Sequence, residues 1–304
     1  MTTQRHRIQS GSISLQAYTW GDPTATPLVL VHGYPDNHLA WVPVAERLSD
    51  SFYVIAYDVR GAGESDRPKG RKAYQISVLV EDLEAVVDTL IPGQQFHLAG
   101  HDWGSIQSWE SVTTAPMKDR ILSYTTVSGP SLDHMGYWVR SHLSDSASRV
   151  SALKQLMSSW YITAFQLPLI PELMWKAVVG RNWKHFLSKV EGVKEPHANP
   201  YQTVDGRDGV WLYRSNFAPR LLRPAPRYAD CPVQLIVPLK DAYAGVYLFD
   251  ELHEWVPELY RRDVDAGHWL MLSDPDWLAA AIRDFIDAVE RGDQQESLRS
   301  LRVA

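Results

Sequence analysis

FHLAGHDWGS, residues 96–105, joins an apolar run to a helical pattern through Gly100-His101-Asp102-Trp103-Gly104. Glycine stands two positions before and two positions after Asp102, as a sharp turn from strand to helix requires. Such a turn exposes Asp102 at the helix N-terminus, where backbone N–H groups favour an anion. The alternative is a simple N-cap, a role that aspartate fills well. The paired glycines favour a nucleophile elbow with Asp102 as the nucleophile.

Short apolar runs like the one before Gly100 recur along the chain and predict buried strands. They cover residues 27–32, 52–58, 96–101, 121–127, 233–238 and 259–264. Helical spacing lies between them, most clearly at 76–90. Because strand and helix alternate, we predict an α/β fold with a mainly parallel sheet flanked by helices. Ligands of such sheets bind beyond the carboxyl ends of the strands.

The alternation stops between residues 131 and 228, a stretch rich in Trp, Leu, Met and Tyr without a convincing strand. We therefore predict a core from 1–130 and 229–304, and an inserted helical cap at 131–228 that acts as a lid. The end of the chain, from Gly292, is predicted to be a polar tail. An apolar substrate channel is indicated by Trp138, Trp160, Phe165, Leu167, Leu169, Met174 and Trp175, although such residues also pack a lid onto a core.

The composition is typical of a soluble globular protein, with 45% hydrophobic and 22% charged residues. A net charge of −6 argues against a nucleic-acid partner, because nucleic-acid-binding surfaces carry a basic excess. With one cysteine, Cys231, no intramolecular disulfide forms, and no apolar run has transmembrane or signal-peptide length. We expect a cytoplasmic protein without an integral membrane segment, and a homodimer is compatible with the sequence.

An aspartate nucleophile restricts the chemistry. A carboxylate attacks sp³ carbon by displacement and leaves an alkyl-enzyme ester. The leaving group must then be a halide or a strained alkoxide, whereas acyl transfer to ordinary esters or amides is disfavoured.

Two backbone N–H groups are candidates for an oxyanion hole. The first apolar run ends in His32-Gly33-Tyr34-Pro35, where an open turn can present the N–H of Tyr34 towards Asp102. Together with the N–H of Trp103, it would stabilise the tetrahedral intermediate of ester hydrolysis. The alternative for this segment is a plain Gly-Pro turn.

His268 is the candidate base that activates water, because it follows Gly267 directly after the last apolar run. Ten further histidines are present, so its position is what distinguishes it. Asp241 follows the run at 233–238 and would hold the tautomer of His268. Asp133, after the run at 121–127, is the alternative. The order Asp102, Asp241, His268 is typical of hydrolases in which the nucleophile comes first.

Four motifs carry a family resemblance: HGYPDNHLAW at 32–41, YDVRGAGESDRP at 57–68, GHDWGS at 100–105 and AGHW at 266–269. On these motifs the chain resembles the epoxide hydrolases of the α/β-hydrolase fold along nearly its whole length. The first two are shared with haloalkane dehalogenases. The resemblance implies a sheet of the eight-stranded type with a helical cap, and catalysis without a cofactor or metal ion.

The resemblance also implies two lid tyrosines that donate to the epoxide oxygen. Tyr161, four residues before Phe165-Gln166, resembles the first, and Tyr213, in WLYRSNF, resembles the second. Dehalogenases of this fold cradle halide with the tryptophan after the nucleophile, here Trp103, and often with an asparagine. In some dehalogenases a tryptophan elsewhere takes the asparagine's role. Tyr34 stands in the asparagine's place, and both tyrosine motifs occur in order inside the insertion, so the epoxide is favoured over the halide.

We therefore predict an epoxide hydrolase that converts a lipophilic epoxide to a vicinal diol through an ester on Asp102, which water activated by His268 hydrolyses. The alternatives are a haloalkane dehalogenase with the same nucleophile and a binding module for apolar ligands. A metal-dependent hydrolase is disfavoured, since Pro257 stands where the second histidine of an HExxH helix beginning at His253 would be.

Overall fold

The structure, a computed structural model, describes residues 3–146, 148–196, 198–292 and 300–303. Its strands are β1 Gln4–Ser10, β2 Ile13–Trp20, β3 Pro27–Val31, β4 Tyr53–Tyr57, β5 Phe96–His101, β6 Ile121–Val127, β7 Val233–Pro238 and β8 Leu259–Val264. They form one sheet in the order β1-β2-β4-β3-β5-β6-β7-β8. From β4 to β8 all pairs are parallel, whereas β2 is antiparallel to β1 and to β4.

The central strands are buried on both faces, which explains their continuous apolar sequences. Every residue of β3 (PLVLV) and β4 (YVIAY) is buried. The six strands predicted from apolar runs agree with the structure to within one residue at each end. The predicted α/β fold with a mainly parallel sheet of eight strands is confirmed.

The sequence prediction missed the β1–β2 hairpin. Its two strands pair from Gln4 with Thr19 to Ser10 with Ile13, and Gly11 in the turn adopts a φ of +56°. Only Ile8 and Ser10 of β1 are buried, so the strand contains no apolar run. Besides its pairing with β2, β1 makes a polar contact, in which the Ser10 hydroxyl donates to Asp82 at 2.6 Å.

Helices cover both faces of the sheet. In the core they are α1 Val42–Leu48, α2 Ile76–Leu90, α3 Trp103–Thr113, α10 Leu270–Ser273 and α11 Pro275–Arg291. The bounds predicted for α2 are confirmed, and its buried stripe includes Leu79, Leu83 and Val86. Helices α2 and α3 belong to one apolar cluster, and α1 and α11 to a second. The sheet therefore lies between two separate cores.

Among the described residues between β6 and β7 lie six α-helices: α4 Leu132–Ser144, α5 Arg149–Ser158, α6 Trp160–Phe165, α7 Ile170–Met174, α8 Gly180–Lys189 and α9 Gln202–Leu222. A π-helical turn, Trp175–Val179, joins α7 to α8. The described residues between 131 and 228 contain no strand. We propose that this helical segment, residues 131–228 as predicted from the sequence, is the cap.

Helix α9 fastens the cap to the core. The side-chain carbonyl of Asn216 accepts the N–H of Ile76 at 2.9 Å, and its amide donates to the carbonyl of Tyr74 at 2.8 Å. Both contacts lie at the N-terminus of α2, where the first N–H groups of a helix have no partner within the helix. The side chain of Asn216 therefore links α9 to α2.

The described end of the chain departs from the predicted polar tail. Residues 293–299 and 304 of that tail lie outside the described part. Residues 301 and 303 pair with β8: the N–H of Arg261 donates to Leu301, and the N–H of Val303 donates to Leu259, both at 2.8 Å. Because Leu301 also packs beside Tyr260, this end contributes to the edge of the sheet. Among the described helices, none is long and apolar enough to cross a membrane.

Candidate active site

The carboxyl ends of the parallel strands bring the candidate residues together. Tyr34 lies just beyond β3, Asp102 directly follows β5, Asp241 lies beyond β7 and His268 beyond β8. These positions are where ligands of parallel sheets bind. The two candidate tyrosines lie on the cap, Tyr161 on α6 and Tyr213 on α9.

Asp102 occupies a strained turn between β5 and α3. Its φ is +51°, a region that aspartate rarely adopts. A Cβ at Gly100 would lie 2.7 Å from the carbonyl oxygen of Gly104, and one at Gly104 would lie 2.0 Å from that of Val31. The turn therefore requires both glycines that the sequence places around Asp102.

Backbone N–H groups hold the carboxylate of Asp102. The N–H of Tyr34 donates to Oδ1 at 2.7 Å, and the N–H of Trp103 also bonds to the carboxylate. A side chain at Gly33 would meet Oδ1 at 2.5 Å, so the turn after β3 can approach only because glycine stands there. Burial raises the pKa of Asp102 to about 6, although His268 and the two N–H groups oppose the rise.

His268 lies between two carboxylates. Its Nδ1 lies 2.8 Å from Oδ2 of Asp241, and its Nε2 lies 3.8 Å from Oδ2 of Asp102. The N–H groups of Tyr243 and Ala244 donate to the other oxygen of Asp241, at 2.7 and 3.1 Å. Both carboxylate oxygens of Asp241 are therefore engaged, one by backbone N–H groups and one by Nδ1 of His268. This orientation turns Nε2 of His268 towards Asp102.

Asp133, the alternative orienter, lies elsewhere. Its carboxylate contacts Arg220 at 2.9 Å and Arg227 at 3.1 Å. The N–H of Ala225 donates to its second oxygen at 2.9 Å. Asp133 thus ties the start of α4 to the end of the cap, and Asp241 is the carboxylate beside His268.

His268 and Asp241 each stabilise the charged form of the other. Burial disfavours the charged imidazole, but the carboxylates of Asp241, Asp102 and Glu191 outweigh it and raise the pKa of His268 to about 9. Burial alone would raise the pKa of Asp241, yet His268 and the backbone N–H groups hold it below its usual value. The neighbouring carboxylates therefore favour the imidazolium form of His268, which lies between Asp241 and Asp102.

A cavity of about 200 Å³ opens beside Asp102 and His268. Tyr34, Tyr161 and Tyr213 line it, and the ring centroids of the two cap tyrosines are 6.0 Å apart. Burial and the charge of Asp102 hold the pKa of both cap tyrosines well above the usual range, so both hydroxyls keep their protons. The remaining lining is mostly apolar: Pro35, Trp160, Ala164, Phe165, Ile170, Pro171, Met174, Trp175, Val179, Trp183, Tyr243 and Trp269.

Two candidate residues, Tyr34 and Trp103, contact the carboxylate of Asp102 through their backbone N–H groups. The Tyr34 hydroxyl donates to the carbonyl of Gly206 at 2.8 Å and accepts the indole N–H of Trp175. Among the described residues around the cavity, Trp103 is absent; its ring packs against Tyr213 with centroids 5.0 Å apart. Both therefore face Asp102 through their N–H groups.

Several contacts to the His268 loop were not predicted from the sequence. Glu191, after α8 of the cap, accepts the N–H of His268 at 3.0 Å. The ring of Tyr243 meets the imidazole edge-on, with centroids 4.9 Å apart. The indole N–H of Trp269 donates to the buried Asp36 at 2.8 Å. Of these contacts, the approach of Glu191 is the one that the sequence hints at, through Gly267. A Cβ at Gly267 would lie 2.7 Å from the Glu191 carboxylate, so glycine is needed for Glu191 to come this close.

The fold and the motifs agree with known proteins. Residues 26–159 match a family model described as alpha/beta hydrolase fold. A protein of Mycobacterium tuberculosis named probable oxidoreductase EphD is 34% identical over 96% of this chain. Epoxide hydrolase 3 of Xenopus tropicalis is 25% identical over 92% of this chain and 76% of its own length.

Solved structures extend the likeness. An epoxide hydrolase from Bacillus megaterium matches 93% of this chain and 100% of its own with a TM-score of 0.77 and 21% identity. Epoxide hydrolase A from Mycobacterium thermoresistibile matches 94% of this chain and 98% of its own with a TM-score of 0.76 and 19% identity. The chain spans only 50% of the length of the mycobacterial relative EphD. The resemblance to epoxide hydrolases is confirmed, and the chain has the α/β-hydrolase fold.

Proposed function

We propose that the chain is an epoxide hydrolase that converts a lipophilic epoxide to a vicinal diol. One observation carries the proposal: the tyrosines Tyr161 and Tyr213 line the same cavity as Asp102 and His268. A nucleophile alone is compatible with several leaving groups. Two protonated hydroxyl groups beside it suit a leaving group that becomes an alkoxide and needs a proton.

In the first step, Oδ2 of Asp102 attacks one carbon of the epoxide ring. The bond from that carbon to the epoxide oxygen breaks, and the oxygen takes a proton from Tyr161 or Tyr213. The product is an alkyl ester of Asp102 with a free hydroxyl group on the neighbouring carbon. Oδ1, already bonded to the N–H of Tyr34, becomes the ester carbonyl oxygen.

Ester formation changes the charge balance at His268. Asp102 no longer carries the negative charge that helps to raise the pKa of His268, so the imidazolium can release a proton to the tyrosinate. Neutral His268 then takes a proton from water, and the resulting hydroxide attacks the ester carbonyl. Asp241 holds the imidazole in position throughout.

The oxyanion of the tetrahedral intermediate forms on Oδ1, which already accepts the N–H of Tyr34, and the N–H of Trp103 is the second candidate donor. Collapse breaks the bond to the alkyl oxygen, which takes up the second proton of the water. Asp102 and the imidazolium of His268 are regenerated. The sum is the addition of one water molecule to one epoxide.

The cavity lining supports an apolar substrate, because its walls are mainly aromatic and aliphatic side chains. Haloalkane dehalogenation is less well supported, since the Trp103 side chain is not among the described residues that line the cavity. A binding module would have no need of a nucleophile and a base 3.8 Å apart. Cytoplasmic location and a homodimer stay predictions.

The test is turnover of a panel of terminal epoxides, from styrene oxide to long-chain alkyl epoxides, with 1-bromoalkanes of matched length in parallel. We expect diol from the epoxides, no halide from the bromoalkanes and no diol with Asp102→Ala. Halide release without diol would assign the chain to the dehalogenases. Binding of the epoxides without turnover of any substrate would leave only the binding module.

A further inference from the structure

One face of the cap exposes an unusual number of large apolar side chains. They lie on α5, α6 and α7 and in the segments between them and the π turn. The most exposed are Met157 at 75%, Leu169 at 69%, Trp160 at 67%, Leu173 at 62%, Val150 at 59% and Val178 at 58%. Single exposed apolar residues are ordinary, whereas a group of this size marks an interaction surface.

These side chains belong to one continuous layer, which we call the apolar cap face, residues 149–179. Helix α5 packs against α6, α6 against α7, and α7 against the π turn. An ion pair of Glu172 with the buried Arg214 holds α7 on α9. The layer is therefore attached to the rest of the cap through α9. Among the described residues, no element covers its outer side.

The cavity opens through the apolar cap face. Trp160, Ile170 and Met174 are at least half exposed, yet all three also line the cavity that contains Asp102. Any body that covers this face therefore lies over the entrance to the candidate active site.

The surroundings of the apolar cap face are basic. Residues 149–194 contain seven lysine and arginine residues but only two acidic ones. Both acids are turned inward, Glu172 to Arg214 and Glu191 to the N–H of His268. All seven basic residues are exposed: Arg149, Lys154, Lys176, Arg181, Lys184, Lys189 and Lys194.

Helical spacing places basic groups on the same side as the apolar ones. Asn182 lies one turn after Val178 and its amide donates to the Val178 carbonyl at 2.8 Å. Arg181 and Lys189 continue this exposed stripe along α8, three and eleven residues after Val178. On α5, the exposed Lys154 lies three residues before the exposed Met157. Charge and apolar surface therefore alternate on one face.

The charge of the chain is strongly asymmetric. The cap, residues 131–228, has 13 basic and 7 acidic residues and a net charge of +6. Since the whole chain carries −6, the remainder carries −12. In an electric field from a negatively charged surface, the cap would turn towards the surface and the core away from it.

We propose that the apolar cap face binds the surface of a lipid bilayer that contains anionic lipid. Apolar side chains enter the boundary between headgroups and acyl chains, and the basic residues contact the phosphates, as in interfacial helices. A second copy of the chain fits less well, because a symmetric dimer through this face would bring two basic surfaces together. The proposal concerns binding alone and does not depend on the reaction.

The experiment measures binding of the full chain to sedimenting vesicles of phosphatidylcholine, with and without about 30% phosphatidylglycerol. We expect the anionic vesicles to bind at least about tenfold more tightly, and high salt to remove most of this difference. Binding to neither vesicle, or equal binding to both, would overturn the proposal.

Variants locate the binding surface. We expect Met157→Asp with Leu173→Asp, and separately Lys154→Glu with Lys176→Glu and Lys184→Glu, to reduce binding at least about tenfold. None of these residues lines the cavity. The matched control is Val303→Asp, which adds one charge at a half-exposed site beside β8. Unchanged thermal unfolding and turnover of a water-soluble epoxide would show that the variants are folded.

Two outcomes contradict the assignment. If Val303→Asp weakens vesicle binding as much as the cap variants do, the binding is a general effect of charge. If the chain sediments as a dimer that Met157→Asp dissociates, and vesicles are not bound, the face is an interface between copies of the chain. Vesicle binding without diol formation would leave this proposal intact and count only against the proposed reaction.

Discussion

The Nε2 atom of His268 lies 3.8 Å from Oδ2 of Asp102. The other carboxylate oxygen, Oδ1, accepts the N–H of Tyr34. The two oxygens are therefore in different surroundings, one held by the backbone and one open to the cavity and the base. This asymmetry suits a residue that attacks with one oxygen and develops an oxyanion on the other, and it leads to the first prediction.

In His268→Gln, ester formation should proceed while its hydrolysis stops, because the base that activates water is gone. We expect stoichiometric accumulation of the alkyl ester, seen by mass spectrometry as epoxide mass on the peptide that contains Asp102. The double variant with Asp102→Ala is the control and should carry no added mass. An unmodified peptide in the single variant would rule out the covalent route.

Tyr161→Phe and Tyr213→Phe should each slow ring opening, since each removes a hydroxyl group that can donate to the epoxide oxygen. Loss of one such donor costs roughly 10²-fold in rate. The measurement is ester formation in a single turnover in the His268→Gln background, which separates opening from hydrolysis. Tyr228→Phe, at a half-exposed position away from the cavity, is the matched control. A normal opening rate in both active-site variants would remove the tyrosines from the reaction.

Ring opening should lose its rate at a higher pH than expected for an ordinary aspartate nucleophile. The nucleophile is the carboxylate, and burial raises the pKa of Asp102 from 3.8 to about 6. The reactive form therefore disappears as the pH falls through about 6, not through 4. We expect the logarithm of kcat/KM to fall with a slope near one below about pH 6. A rate that stays constant between pH 7 and 5 would contradict this assignment.

Asp241→Asn should impair ester hydrolysis more than ester formation. The carboxylate fixes Nδ1 of His268 and helps to raise its pKa, so asparagine leaves a wrongly oriented and less basic imidazole. Replacing the acid of a triad by asparagine slows turnover by roughly 10⁴-fold in the best-known case. Stopped-flow measurements should show a rapid burst of ester followed by slow turnover. Asp133→Asn, the control in the arginine cluster, should leave the burst and the turnover unchanged.

The sequence was most informative where local geometry requires a particular residue type. Gly100 and Gly104 around Asp102 predict the strained turn, and short apolar runs predict strands that are buried on both faces. His268 and Asp241 followed from their positions after such runs. Each of these signals lies within a few residues of the position that it predicts.

Contacts between distant segments left little signal. Glu191 reaches the His268 loop from the cap, and its own neighbours in the sequence form no motif. Strand β1 contacts α2 through Ser10 and Asp82, which are 72 positions apart, and it contains no apolar run. The exposure of the apolar cap face could not be read from composition either, because buried and exposed apolar residues alternate on α5–α7 without a change in residue type.

The buried ion pair of Arg60 and Asp82 allows a test of how much this carboxylate stabilises the β1–β2 hairpin, which the sequence prediction missed. Nε and Nη2 of Arg60 donate to the two oxygens of Asp82 at 2.5 and 2.6 Å, and Ser10 of β1 donates to the same carboxylate. Asp82→Asn removes the counter-charge and leaves a guanidinium in a site where less than a tenth of the residue is exposed. We expect the free energy of unfolding to fall by about 3–5 kcal/mol, measured by denaturant titration.

The matched control is Asp287→Asn, which breaks the exposed pair with Arg291 on α11. An exposed pair contributes only about 0.3–0.5 kcal/mol, so this variant should unfold almost as the parent does. The double change Arg60→Met with Asp82→Leu should recover most of the loss, because no unpaired charge then remains buried. If Asp82→Asn were no more destabilising than Asp287→Asn, the hairpin would not depend on this ion pair, and its pairing with β2 and the packing of Ile8 would have to hold β1.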